Sequence, residues 1–521
     1  MERLSTCDNR GMTEPVSRST DQPQLKSGAI GFVDALVIGL ASTSPAYSLA
    51  AVVGAVVALV GVYAPGVFLA SFVPMLLIAS AFYYLNKADQ DCGTTFSWVT
   101  RAMGPWVGWM GGWAISMTGV LVIGSLADTG VRFGLLALQL DGLAENTFLV
   151  RTLTVLLIFA MTWICVIGTE TSAKLQNGLI IAQVGALLVF AVVALVAGLS
   201  GNGEADGGNL TPSIDWLNPF GAGGAALTGG LLLGVFIYWG WESAVNLTEE
   251  TSDAESTPGK AAIVSTVVLL VTYLGVTIAI LSYFGTDFLA SREDEAETIF
   301  ATMATQVLGG WDWVLLLAVA TSAIASTQTT ILPASRTGLS MARRHAMPKA
   351  LARIHPRFRT PDVSTWLVAV IAAAWYVVVN LISENALFDS LTALSLLIAF
   401  YYSLTGIACA VFHRKQLTRS AKDLLLIGVG PLIGSALLIW LLVESIGDLA
   451  DPANSDLGTA WFGLGPPLVM GIAIFLVGVL FMLFWRFKDR RFWAEKTTTA
   501  ERLQADIAAG RTAAAVEDPA P

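Results

Sequence analysis

The chain has 521 residues, of which 55% are hydrophobic and 13% charged, and it carries a net charge of −10. A soluble domain of ordinary composition carries about a quarter of its residues as charges, so a large soluble enzyme is excluded. The four cysteines, Cys7, Cys92, Cys165 and Cys409, form no C-x-x-C pair, and His345, His355 and His413 all lie in Arg-rich segments. Neither a disulfide framework nor a metal site follows from such spacing, and no nucleotide-binding loop or nucleophile–base constellation is present. No cofactor and no nucleic-acid partner are expected.

In chain order, residues 1–27 contain no apolar h-region, so a cytoplasmic tail without a cleavable leader is expected. Apolar runs of about twenty residues or more then predict membrane helices. They fall near 28–60, 64–85, 106–138, 148–168, 175–199, 223–249, 260–285 and 311–341, with four more near 363–382, 387–412, 422–446 and 463–487. The prediction is an all-α integral membrane protein of about 12 transmembrane helices. A β-barrel does not fit, because the runs lack ten-residue alternation. Residues 488–521 form a polar, Ala-rich C-terminal tail, whose part from Thr497 to Pro521 reads as mobile.

Lys and Arg set the orientation. The segment after the eighth span carries Arg336, Arg343, Arg344, Lys349, Arg353, Arg357 and Arg359; Arg414, Lys415, Arg419 and Lys422 follow the tenth. The tail begins with Arg486, Lys488, Arg490 and Arg491, whereas loops 200–222, 383–386 and 447–462 hold no Lys or Arg. The positive-inside rule then places both termini in the cytoplasm, in a plasma or inner membrane, and demands an even number of spans. Acidic residues collect on the other side: Glu293, Asp294, Glu295, Glu297, Asp448, Asp451 and Asp456. Lys260 and the basic 343–359 segment read as topology signals in contact with anionic lipid.

Two spans are interrupted. The first contains IGLASTSPAYS (38–48), where Pro45 lacks an N–H and its ring opposes the carbonyl of Ala41, so the helix opens near there. The sixth contains YWGWE (238–242), where Gly240 weakens the helix and Glu242 places a carboxylate inside an apolar run. That charge costs roughly 2.5–3.5 kcal/mol on insertion scales. Spans one and six hold the same ordinal place in two five-helix units, 28–200 and 223–413, with two additional helices over 421–487. Interrupted helices at matching positions of an inverted repeat point to a transporter's binding site, because they expose N–H and C=O groups at the midplane.

Four stretches carry a family resemblance: CGTTFSWVTRAMGPWVGWMGGW (92–113), GTETSAKLQNGLIIAQ (168–183), FIYWGWESAVNLTEETSDAESTPGKAA (236–262) and SRTGLSMARRHAMPKALARIHPRFRTPDVS (335–364). In that order and at those spans, they resemble the amino acid–polyamine–organocation permeases over about residues 28 to 440. The resemblance implies the LeuT-type five-plus-five inverted repeat. It also implies that backbone amides at Ser42, Thr43, Ser44 and Pro45 hold a substrate carboxylate, while carbonyls at Phe236, Ile237 and Tyr238, beside Gly240, take its amino group. Relatives usually carry a Gly-rich first break; here S-T-S-P adds hydroxyls and narrows the approach to the backbone. Phe236 matches the ring that covers bound substrate, or is an ordinary packed aromatic.

Glu242 matches an acidic position of many relatives, with two roles open: a proton-coupling group, or an acceptor for N–H groups freed by the break. Ser326 and Thr327 sit where sodium-coupled relatives place an ion, or simply pack the helix. Gln183 replaces a lysine of proton-type members and cannot supply its charge, so the coupling ion, H+ or Na+, stays open. Asp128 and Arg132, four apart on one helix face, form an internal ion pair near the outer side, an outer gate, or a site for a charged substrate group. Glu249 and Glu250 read as interfacial.

The expected function is a secondary permease for a small amino acid, working by alternating access. The alternatives are a polyamine or other organic-amine carrier, for which Asp128 is the carboxylate available, and a non-transporting sensor.

Overall fold

The computed structural model describes residues 24–204, 207–292, 299–382, 386–455 and 459–509. The acidic residues Glu293, Asp294, Glu295, Glu297 and Asp456, most of the N-terminal tail and residues 510–521 lie outside the described residues.

Helices α1 (Phe32–Thr43) and α2 (Pro45–Val60) are the halves of the first interrupted segment, and α3 (Ala64–Ala88) follows a 3-10 turn at Gly61–Tyr63. The amphipathic α4 (Thr95–Met103) leads through Gly104 into the 33-residue α5 (Pro105–Ala137). After the short α6 (Asp141–Ala144) come α7 (Thr147–Ile167) and α8 (Thr169–Leu199). Helices α9 (Gly224–Ile237) and α10 (Ser243–Asn246) flank the second interruption. Then α11 (Thr257–Phe284), the short α12 (Asp287–Ala290) and α13 (Ile299–Leu308) lead to α14 (Asp312–Arg343). The chain closes with α15 (Asp362–Ile382), α16 (Ala386–Phe412), the short α17 (Ala421–Asp423), α18 (Gly430–Asp448), α19 (Pro466–Lys488) and α20 (Ala500–Ala508).

Proline begins several of these helices, at α2, α5 and α19, where its missing N–H would have no helical partner anyway. At the first break the last hydrogen bond of α1 runs from the Ser44 N–H to the Leu40 carbonyl. Pro45 has no N–H to offer the Ala41 carbonyl, and the chain turns at Ser44, whose φ of 55° is left-handed, so that Pro45 starts α2.

Ten stretches of the described residues are long and apolar enough to cross a membrane. The difference from the twelve expected helices arises at two places. The first stretch, Phe32–Ala88, has 57 residues and contains α1, α2 and α3, more than twice the roughly 20 that one crossing needs. The sixth expected span is cut to the short apolar helix Ala226–Ile237 by the break that follows it.

The outer faces are apolar, as a lipid solvent requires. Ile181, Val189, Val192 and Leu199 of α8 and Leu480, Phe484 and Phe487 of α19 are all exposed. Inside, α14 packs most extensively on α5, and α15 and α7 join that pair. A second group forms where α11 packs on α3 and α1, and α9 packs on α2 and α3. The first interrupted segment joins the two groups, because α1 and α2 also pack on α14.

Candidate functional site

The two interruptions meet backbone to backbone. Gly240 has φ +121°, and a Cβ built on it would lie 2.8 Å from the carbonyl carbon and oxygen of Ser42 and 2.9 Å from the Thr43 nitrogen. Only glycine tolerates both the dihedral and the approach. Side chains tie the same contact: the Ser42 and Ser243 hydroxyls are 2.7 Å apart, joining α1 to α10. From α14, the Ser326 hydroxyl donates to the Ser42 carbonyl at 2.8 Å, and Ser322 meets the Ser44 hydroxyl at 2.9 Å. The Ser48 hydroxyl donates to the Thr43 carbonyl at 2.7 Å, and the Thr43 hydroxyl turns back on Gly39 at 3.0 Å.

On the α9 side, the Ile237 carbonyl accepts from the Tyr273 hydroxyl of α11 at 2.7 Å. Phe236 stands edge-on to Tyr47 of α2, with ring centroids 6.4 Å apart, and Tyr47 in turn meets Ser125 of α5 at 2.9 Å. Tyr238 is buried against Phe72 and Tyr273, and its hydroxyl has no partner among the described residues.

Glu242 is 2% exposed. Tyr401 of α16 donates to its Oε1 at 2.5 Å, Tyr402 to its Oε2 at 2.6 Å, and the Gly240 N–H to Oε2 at 3.1 Å. The Trp239 indole N–H donates to the Tyr401 hydroxyl. Because an indole can only donate, the Tyr401 oxygen accepts there and its proton points at Glu242. These tyrosines were missed by sequence reasoning. Their signal is two adjacent hydroxyl-bearing rings inside an apolar run, which need a polar partner when buried.

The remaining sequence candidates do not all converge. Thr327 bonds its own helix at Ala323, 2.9 Å away, rather than sharing a partner with Ser326. Gln183 is fully buried in α8, and neither amide atom has a hydrogen-bond partner among the described residues. Asp128 Oδ2 is 2.6 Å from Arg132 Nε, and Oδ1 accepts from the Tyr376 hydroxyl of α15 at 2.5 Å.

Below the second break lies a charged network that corrects two readings. Arg336, counted with the loop charges although the eighth expected span reaches 341, lies inside α14 with its side chain 0% exposed, and Glu250 is 1% exposed rather than interfacial. Arg336 Nε and Nη2 reach Glu250 Oε1 at 3.0 and 2.9 Å. Two turns later on α14, Arg343 pairs with Glu249 at 2.9 Å. Glu249 also accepts from the Cys92 N–H at 3.1 Å, and Asn246 donates to the Cys92 carbonyl and the Thr94 hydroxyl.

The Asp91 and Glu249 carboxylates and the Cys92 thiol come within 4.8 Å of one another. Arg101 and Arg343 already balance those acids, which makes the cluster an ion-pair network and a poor cation site. Burial pushes the Cys92 thiol well up, and carries Asp89 to about 6 against the pull of Arg101. For Asp91 burial acts the same way, but Arg101 and Arg344 overcome it and hold the carboxyl below its ordinary range.

Comparison with known proteins decides what this geometry belongs to. The amino acid permease family profile matches residues 30–487. The chain belongs to the amino acid permease family. An uncharacterized transporter of Mycobacterium tuberculosis is 26% identical to the permease over 368 residues, covering 68% of this chain and 74% of that one. The human Asc-type amino acid transporter 1 is 24% identical over 411 residues, covering 78% and 72%. The structure is similar to a mutant of the Eremococcus coleocola manganese transporter, with TM-score 0.54 and 12% identity over 88% of this chain and 95% of that one. That similarity speaks to fold alone, an all-helical LeuT-type architecture; the family and its relatives make the permease a multi-pass transporter.

Proposed function

We propose that the permease is a secondary transporter for a small zwitterionic amino acid, working by alternating access in a cell membrane with both termini cytoplasmic. The observation that carries this reading is the contact of Gly240 with Ser42 and Thr43, which brings the N-terminus of α2 and the C-terminus of α9 together. A helix N-terminus favours a carboxylate and a helix C-terminus an ammonium, so this pair of ends matches the two charges of an amino acid. Pro45 begins the first end, with Ser44 at the turn and Ser42 and Thr43, the last residues of α1, beside it; Phe236, Ile237 and Tyr238 supply the second, with Phe236 as the covering ring. The polyamine alternative needs a carboxylate for a distant ammonium, and both oxygens of Asp128 are taken by Arg132 and Tyr376. Counterflow in proteoliposomes tests the reading: preloaded neutral amino acids should drive entry of the same labelled compound, and polyamines should not. Accumulation of a polyamine alone would overturn it.

The same reading assigns the coupling proton to Glu242. Asp128, Glu249, Glu250 and Asp89 each face an arginine, whereas the hydrogen-bond partners of Glu242 are two phenols and a peptide N–H. Among the described residues no cation stands beside it, so this carboxyl can release and regain a proton without breaking an ion pair. Glu242→Gln is therefore expected to flatten the pH dependence of net uptake while counterflow persists. A pH profile that stays as steep as that of the wild type would remove Glu242 from coupling, and a sodium requirement would redirect it to the Ser326, Thr327 and Gln183 region.

A further inference from the structure

The polar segment after α19 does not trail away from the membrane body. Phe492 is 2% exposed and stacks on Phe96 of α4, with centroids 5.5 Å apart. Trp493 packs on Trp106 at the start of α5 at 4.8 Å, and Arg486 covers the other ring at 4.6 Å. Glu495 pairs with Arg344 just past α14, in a site where both side chains are largely shielded. The Thr498 N–H then donates to the Arg101 carbonyl at the end of α4, at 2.8 Å. Thr499 and Ala500 are buried, and α20 lies against α3, with Leu503 packed on the core and Glu501 3.6 Å from Arg419.

These contacts fall on both packing groups of the fold. Phe492, Trp493, Glu495 and Thr498 hold the α4–α5–α14 side, and α20 holds α3, which packs with α9 and α11. Alternating access requires such groups to part on one side of the membrane and then the other. A segment fastened to both resists parting on its own side.

We propose that residues 489–508 form a strap that holds α3 against the α4–α5–α14 body and restrains opening of the cytoplasmic face. Phe492 and the Glu495–Arg344 pair are its fasteners on one group, and α20 is its fastener on the other. The direction of its effect on rate rests on the transport reading; its docking and its hold on the fold do not.

Three readouts test this on the full-length protein. Docking is read by trypsin cleavage after Arg502, an exposed residue two positions beyond the buried Ala500. Cleavage needs local release of the backbone. Opening is read by N-ethylmaleimide alkylation of Cys92, which is fully buried between α3 and α4, with mass spectrometry identifying the site. Rate is read by counterflow.

Glu495→Arg sets like charges against Arg344, and Leu503→Asp buries a charge under α20. Neither touches the two helix breaks. Each is expected to raise cleavage after Arg502 at least tenfold, Cys92 alkylation about fivefold and the counterflow rate severalfold, with half-saturation unchanged. Rapid cleavage of the wild type after Arg502 would overturn the docking. Fast cleavage in the variants with Cys92 alkylation unchanged would overturn the restraint. If no amino acid supports counterflow even in the wild type, the transport reading fails while the first two readouts still decide the strap.

Discussion

Replacing Arg336 with alanine is expected to destabilise the permease by about 3–5 kcal/mol, the usual cost of stripping one partner from a buried ion pair. The side chains of Arg336 and Glu250 are 0% and 1% exposed, and two guanidinium nitrogens reach one carboxylate oxygen. Removing the guanidinium leaves a carboxylate in low dielectric without its cation. The neighbouring pair gives the scale. Arg343 and Glu249 are 34% and 24% exposed, so solvent screens them, and Arg343→Ala should cost about 1 kcal/mol or less. Replacing Arg336 and Glu250 together with leucine removes both charges and should restore most of the loss, because an apolar pair of similar volume needs no solvation. Thermal unfolding in detergent, followed by tryptophan fluorescence, orders the three variants. An Arg336→Ala protein that melts with the wild type would show that this pair holds nothing.

The same pair shows where the sequence stopped being informative. The topology argument counts Arg336 toward the positive side of the membrane and averages over many such residues. It cannot tell which arginine lies inside a helix end, since that depends on Glu250, 86 positions earlier in the chain. The helix breaks were more legible because their causes are local: Pro45 and Gly240 act on their own turns. Even there the register of the first break follows from a detail, the left-handed Ser44, that lets Pro45 open a new helix. Glu242 stood out as an expensive charge, but its phenolic donors sit about 160 positions away on α16. Similarly, the tail from Thr497 onward reads as polar and mobile by composition, while Thr499 and Ala500 are buried and Leu503 packs on the core, in contacts that no local pattern announces.

Gly240→Ala is expected to abolish counterflow with the protein still inserted in the membrane. Two costs add at this residue. A side chain at φ +121° is strained by about 1–3 kcal/mol. The new Cβ must also press on the backbone of Ser42 and Thr43 at 2.8–2.9 Å, an overpacking of about 1–3 kcal/mol that no flexible side chain can relieve. The relief available is separation of the two broken helices, which carries the end of α9 away from the start of α2 and stretches the Ser42–Ser243 hydrogen bond. Gly275 provides the control. It lies within α11, a Cβ there meets nothing within 4 Å, and alanine improves helix propensity by about 1 kcal/mol. Gly275→Ala should transport and melt like the wild type or slightly better. If Gly240→Ala instead kept counterflow near the wild-type rate, the close contact of the two breaks would not be what forms the binding site.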